Sequence, residues 1–127
     1  MSKAVMVLWL AAMTTLVGGC SSEEQQAIWT VEKSVKASLK DPDSARFGKT
    51  HFVVDVERSD SNFTSGYVCG EVSGKNSFGV YAPSQRFTAR ALLGKNLVDV
   101  SDLQLEGTGI DAEVFERVNW RHCAKSG

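Results

Sequence analysis

The stretch Arg86-Phe87-Thr88-Ala89-Arg90-Ala91 decides the fold. Its apolar residues fall at 87, 89 and 91 and its polar ones at 86, 88 and 90, the two-residue period of a strand with one buried face. Upstream, Tyr67 to Val72 reads as a second strand, with Cys69 and Gly70 inside it. Earlier still, Phe52, Val54 and Val56 alternate with Val53, Asp55 and Glu57 and predict a further strand, separated from Tyr67 by a polar loop over Arg58 to Gly66. Gly74-Lys75-Asn76-Ser77 and Gly94-Lys95-Asn96 carry turn chemistry. Gly79 to Tyr81 begin a strand that Pro83 breaks, and Leu97 to Val100 form a short last strand.

Helical spacing brackets this β region. Ile28, Val31, Val35 and Leu39 make one apolar stripe, with Lys33, Lys36 and Lys40 off it. Ser22 with Gln25 three residues later is a capping box, and Glu23 and Glu24 suit the positive end of the helix dipole. Asp41-Pro42 ends the helix, because a residue before proline avoids helical backbone angles. At the other end Val114, Phe115, Val118 and His122 share a side, near Trp120 and Cys123. The order predicts an α+β domain: an N-terminal helix, a three- or four-stranded antiparallel meander and a C-terminal helix, with both helices on one sheet face in two layers.

The N-terminus is of another kind. Lys3 precedes a charge-free apolar run from Ala4 to Val17, and Gly18-Gly19 lead to Cys20. A charged start, a short apolar run and small residues at the cut mark an export signal. The run is shorter than the roughly 20 residues of a membrane-spanning helix. Val17-Gly18-Gly19-Cys20 resembles a bacterial lipobox. The resemblance implies cleavage between Gly19 and Cys20 and a covalent lipid on the Cys20 thiol. Residues 1–19 are then the signal, 20–22 a lipidated tether and 23–127 a single small domain. No other cofactor is expected. Ser21, where an aspartate is associated with inner-membrane retention, implies an outer-membrane anchor facing the periplasm. Two or more acyl chains hold a protein stably at a bilayer, where one does so marginally.

Composition narrows the function classes. The chain carries 14 basic and 15 acidic residues, which argues against nucleic acid as a partner, since that calls for a basic domain. With Cys20 set aside for lipid, Cys69 and Cys123 remain, and two cysteines in an oxidising compartment usually pair. A redox pair or metal site is the alternative, but the chain has no CxxC, and its two histidines lack zinc-ligand spacing around the cysteines.

Two stretches together resemble a group of small exported bacterial proteins. They are Leu39-Lys40-Asp41-Pro42-Asp43-Ser44-Ala45-Arg46-Phe47 and the run from Val68-Cys69-Gly70 through Lys75-Asn76-Ser77-Phe78-Gly79-Val80-Tyr81. The group shares LKDPxSAxF and CGxVNxKNSFGxY segments and a late tryptophan and cysteine, matched by Trp120 and Cys123. It commonly has Asn at Ser73 and Gly at Val80. The resemblance implies one folding unit and a Cys69–Cys123 bridge, and it implies no activity.

Candidate chemistry is sparse. His51 and His122 have no carboxylate or nucleophile at a recognisable spacing, and the scattered aspartates match no calcium loop. The most distinctive polar segment is Lys75, Asn76 and Ser77 beside Phe78 and Tyr81, a candidate partner-binding turn. The simpler expectation is that Gly79 and Asn76 satisfy turn geometry while Phe78 packs inward. Ser73 to Val98 contain four basic residues and no acidic ones, and Asp99 to Glu116 six acidic and no basic ones. These segments are expected to neighbour and neutralise each other. The leading functional expectation is a membrane-anchored, non-enzymatic lipoprotein, held by membrane lipid and binding a protein partner or serving envelope structure. The alternative is a small inhibitor, immunity or phage-exclusion lipoprotein.

Overall fold

The computed structural model describes residues 22–124; the expected export signal, the expected cleavage between Gly19 and Cys20, and Ser21 lie outside the described residues. The first element, α1 (Glu23–Ser38), starts where the sequence places it: the Gln25 N–H donates to the Ser22 hydroxyl at 3.2 Å. Its buried positions are Ala27, Val31 and Val35, four residues apart, with Ile28 and Leu39 partly covered on the flanks.

Five strands follow: β1 (Arg46–Phe47), β2 (His51–Val54), β3 (Phe63–Ser73), β4 (Gln85–Gly94) and β5 (Leu97–Leu105). All pairings are antiparallel. β1 pairs with the C-terminal end and β2 with the middle of the same edge of β3, Phe47 facing Val72 and Phe52 facing Val68, so they act as one interrupted strand. The sheet is therefore a four-stranded meander in effect, as the alternation predicts. Its α1 face carries Val68 and Val72 from β3 and Phe87, Ala89, Ala91 and Leu93 from β4, packed on Ala27, Val31 and Val35. Full burial of a Phe or Val side chain contributes about 1.5–3 kcal/mol. Gly70 makes room for the largest of these: a Cβ there would stand 2.9 Å from both Phe87 Cε1 and Thr50 Oγ1.

Several boundaries differ from the sequence expectation. The strand expected through Glu57 stops at Val54, and Val56–Arg58 forms a 3₁₀ turn that leaves Val56 exposed. The loop expected to Gly66 ends earlier, because Asp60 Oδ1 accepts the N–H groups of Asn62 and Phe63 at 2.8 Å and starts β3 there. Tyr81 starts no strand and pairs only with Lys75. β5 runs five residues past Val100, through a bulge opposite Ala89 where Asp102 takes a left-handed φ of 56°.

The C-terminal helical segment is the largest correction. It comprises α2 (Ile110–Phe115), a π-helical stretch (Glu116–Trp120) and α3 (Arg121–Ala124). The expected stripe does not form, since Val114 and Val118 are exposed and the buried residues are Phe115 and Cys123. Nor does this segment join α1 in one layer. Cys69 alternates with Val68 and so points away from α1, and it is bonded to Cys123. The α+β order stands, with the helices on opposite faces of the sheet.

Among the described residues the opposed segments of charge meet in an ion pair at Arg86 alone, not along their length as expected. Arg86 donates to Glu106 at 2.8 Å and to Glu116, and its guanidinium lies over the Trp120 ring at 4.7 Å. The bond to Arg86 holds the Glu106 carboxyl below the usual carboxylate range.

Candidate functional site

The chain has two poles, set by α1, whose 16 residues span roughly 24 Å. At the first pole Ser22, Glu23 and Glu24 border a hollow with Asn62, Phe63 and Lys95. At the second, Leu39 borders a groove of about 300 Å³ with Gly74, Lys75, Pro83 and Leu105. The candidate turn Lys75–Tyr81 stands at this second pole, at the far end of β3 from the start of α1.

The turn is built on Asn76. Its Oδ1 accepts the N–H groups of Phe78 at 2.9 Å and Val80 at 3.2 Å, and its own N–H donates to the Val80 carbonyl at 2.8 Å. Gly79 donates to the Asn76 carbonyl at 3.0 Å and holds a φ of 76°, a conformation L side chains rarely adopt. Ala82 donates to the Gly74 carbonyl at 3.0 Å and closes the base. Asn76 and Gly79 thus satisfy the turn as the simpler expectation has it. Phe78 departs from it, being 89% exposed, with Val80 beside it at 61%.

The turn is tied down from the side by the Leu39–Phe47 stretch. The Lys75 N–H donates to the buried Ser44 hydroxyl at 2.8 Å, and that hydroxyl donates to the Asp41 carbonyl at 2.7 Å. Pro42–Ser44 form a 3₁₀ turn that sets this geometry. Leu39 packs where a Gly74 Cβ would be, 3.2 Å from its Cδ1. The Arg46 guanidinium covers the Tyr81 ring at 3.9 Å, with Lys75 Nζ at 5.6 Å. The Leu39–Phe47 stretch and the Lys75–Tyr81 turn are therefore one structural unit. Arg46, Ser44 and Val80 belong to this site although sequence reading did not assign them to it. The only signal for Ser44 and Arg46 was their place in the first of the paired stretches.

The remaining sequence candidates lie elsewhere. The Cys69–Cys123 bridge joins mid-sheet to α3, with Cα atoms 6.0 Å apart. His122 stacks on Tyr67 at 4.2 Å with the rings 6° from parallel. His51 faces Cys69 across the ladder, its Nδ1 buried without a hydrogen-bond partner. Among the described residues no group of His, Cys, Asp and Glu could hold a metal ion. No described helix is long and apolar enough to cross a membrane. Comparison with family models, with curated proteins and with solved structures gives no match.

Proposed function

We propose that the chain is a lipid-anchored envelope lipoprotein that binds another protein through the Lys75–Tyr81 turn. One observation carries the reading: Phe78 stands 89% exposed on a turn whose backbone is fixed by Asn76 and Ser44. An apolar side chain presented to water on a fixed backbone covers nothing in the fold, and a turn already formed loses little backbone freedom on binding. Lys75 and Arg46 lie over the Tyr81 ring of the same turn, so the surface suits a partner with an apolar pocket rimmed by acidic groups. On the lipobox reading Cys20 anchors the chain two residues before Ser22. The turn then points away from the bilayer, at the pole remote from the anchor. Ser21 favours an outer-membrane, periplasm-facing site.

Two measurements test this. Labelled palmitate should enter the wild-type chain and not Cys20→Ala, and a wild type that takes up no palmitate refutes the anchor. Affinity capture from solubilised membranes should recover a specific protein with the wild type and lose it with Phe78→Ala and Val80→Ala together. Equal recovery by the double variant removes the turn from the function.

A further inference from the structure

The sheet face away from α1 is only partly covered by the C-terminal segment, which leaves a cleft of about 270 Å³. Arg58, Arg90 and Arg121 line it, with Tyr67, His122 and Asp102. Arginine on this face is handled in two ways. Arg86 is matched by Glu106 and Glu116. Around the cleft, three guanidiniums face a single carboxylate. Among the described residues no carboxylate lies within 4.0 Å of Arg90 or Arg121, and Arg58 has only a 3.9 Å contact with Asp55. The one cleft carboxylate, Asp102, already accepts from the Gln104 amide at 3.3 Å. Three like charges around a concavity repel one another and focus a positive potential within it.

The cleft wall is also fixed. Arg90 is half-buried and lies over the Tyr67 ring at 5.9 Å. Tyr67 stacks on His122, the residue before the disulfide-bonded Cys123. Two backbone irregularities border the same space: the Asp102 bulge, and the π-helical stretch that brings Val118 and Asn119 to the cleft. Bulges and π-helical turns are concentrated at binding sites because they re-aim side chains that regular backbone would point elsewhere.

We infer that this cleft binds a small ligand bearing an oxyanion, a carboxylate or phosphate group, shared by Arg90 and Arg121 with Arg58 completing the charge. Guanidinium groups match such anions bidentately, which lysines do not. The volume lies just below the usual range for ligand sites and suits a single small charged unit rather than a polymer. This site is separate from the Lys75–Tyr81 turn and does not depend on it.

The test is nuclear magnetic resonance of the mature lipoprotein in neutral detergent at pH 7.5, observing arginine side-chain N–H signals. The probes are inorganic phosphate and citrate, with sodium chloride at matched ionic strength. Nanodiscs with or without phosphatidylglycerol form a separate arm. Saturable shifts at Arg58, Arg90 and Arg121 with phosphate or citrate, absent with chloride, are expected. Arg121→Gln, at an exposed position that tolerates change, should weaken binding roughly tenfold, the loss of one charge-assisted hydrogen bond. Shifts only with phosphatidylglycerol discs would support the oxyanion site and assign its source to a lipid headgroup. Identical shifts with chloride, unchanged binding by both Arg121→Gln and Arg58→Gln, or no shift with any probe would overturn the inference.

Discussion

The backbone N–H of Lys75 donates to the hydroxyl of Ser44 at 2.8 Å, across 31 positions of sequence. Ser44 is buried, and its own proton goes to the Asp41 carbonyl. The aspartate-proline-aspartate-serine turn after α1 thereby becomes the bracket for the turn between β3 and β4. A local sequence feature at the end of a helix fixes a distant loop, and the loop presents Phe78.

Ser44→Ala should therefore act on the loop as well as on overall stability. It removes the acceptor and leaves a shielded N–H unpaired, at a cost of about 1–2 kcal/mol. Chemical denaturation measures the total. Hydrogen exchange at Lys75 should accelerate more than exchange at Val68 on β3.

Phe78→Ala should leave stability within about 0.5 kcal/mol of wild type, because the ring covers nothing. Asn76→Ala should lower it, by removing the acceptor for both Phe78 and Val80. If the turn is a docking surface, both variants weaken partner binding, and only the second also loosens the fold. Parallel denaturation and binding curves separate the two effects.

Breaking the disulfide should free one face of the sheet before the other. The Cys69–Cys123 bridge closes a loop with a sequence separation of 54, for which the chain-entropy model gives roughly 4 kcal/mol. Both cysteines are buried, but Cys69 lies in the middle of β3 and Cys123 in the short terminal α3, so Cys123→Ser disturbs the sheet less. It should detach α3 and separate His122 from Tyr67 while the α1 face persists. Resonance shifts confined to the C-terminal segment and the far face of β3 and β4 would report this.

Stability should vary with pH through two groups of opposite kind. Burial, aided by the Lys49 ammonium, holds the His51 pKa below its ordinary 6.5. The unfolded chain therefore takes up a proton at His51 more readily than the folded one. Stability should be complete above about pH 6.5 and fall as the pH drops towards the lower folded value. The Glu106 carboxyl, held low by Arg86, contributes stability above its unfolded value, and that is lost as pH falls through the folded one. Urea midpoints across this range should lose the upper slope in His51→Gln and the lower one in Glu106→Gln.

The meander was legible because one sheet face is buried under a helix, and burial on one side writes a two-residue period into Phe87, Ala89 and Ala91. The capping of α1 was legible because it is local: Ser22 and Gln25 are three residues apart. The C-terminal segment was not. A π-helical stretch breaks the 3.6-residue spacing, so the stripe through Val114 and Val118 pointed at a core those residues do not meet. The side it covers was set by a single alternation, Cys69 opposite in sense to Val68. At the turn, Asn76 and Gly79 revealed the backbone because each residue type has a fixed role there. The direction of Phe78 was hidden, since a phenylalanine reads as core unless the surrounding fold leaves it none.

The central claim is that the Lys75–Tyr81 turn, and not the Ser22 pole beside the proposed anchor, meets a partner. Photo-crosslinking in living cells from a reactive amino acid at position 78, compared with the same group at position 95, tests it directly. The account predicts one discrete protein adduct from position 78, lost when Asn76→Ala is added, and none of that size from position 95. Adducts from position 95 alone, or none from 78 in a correctly anchored chain, would contradict it.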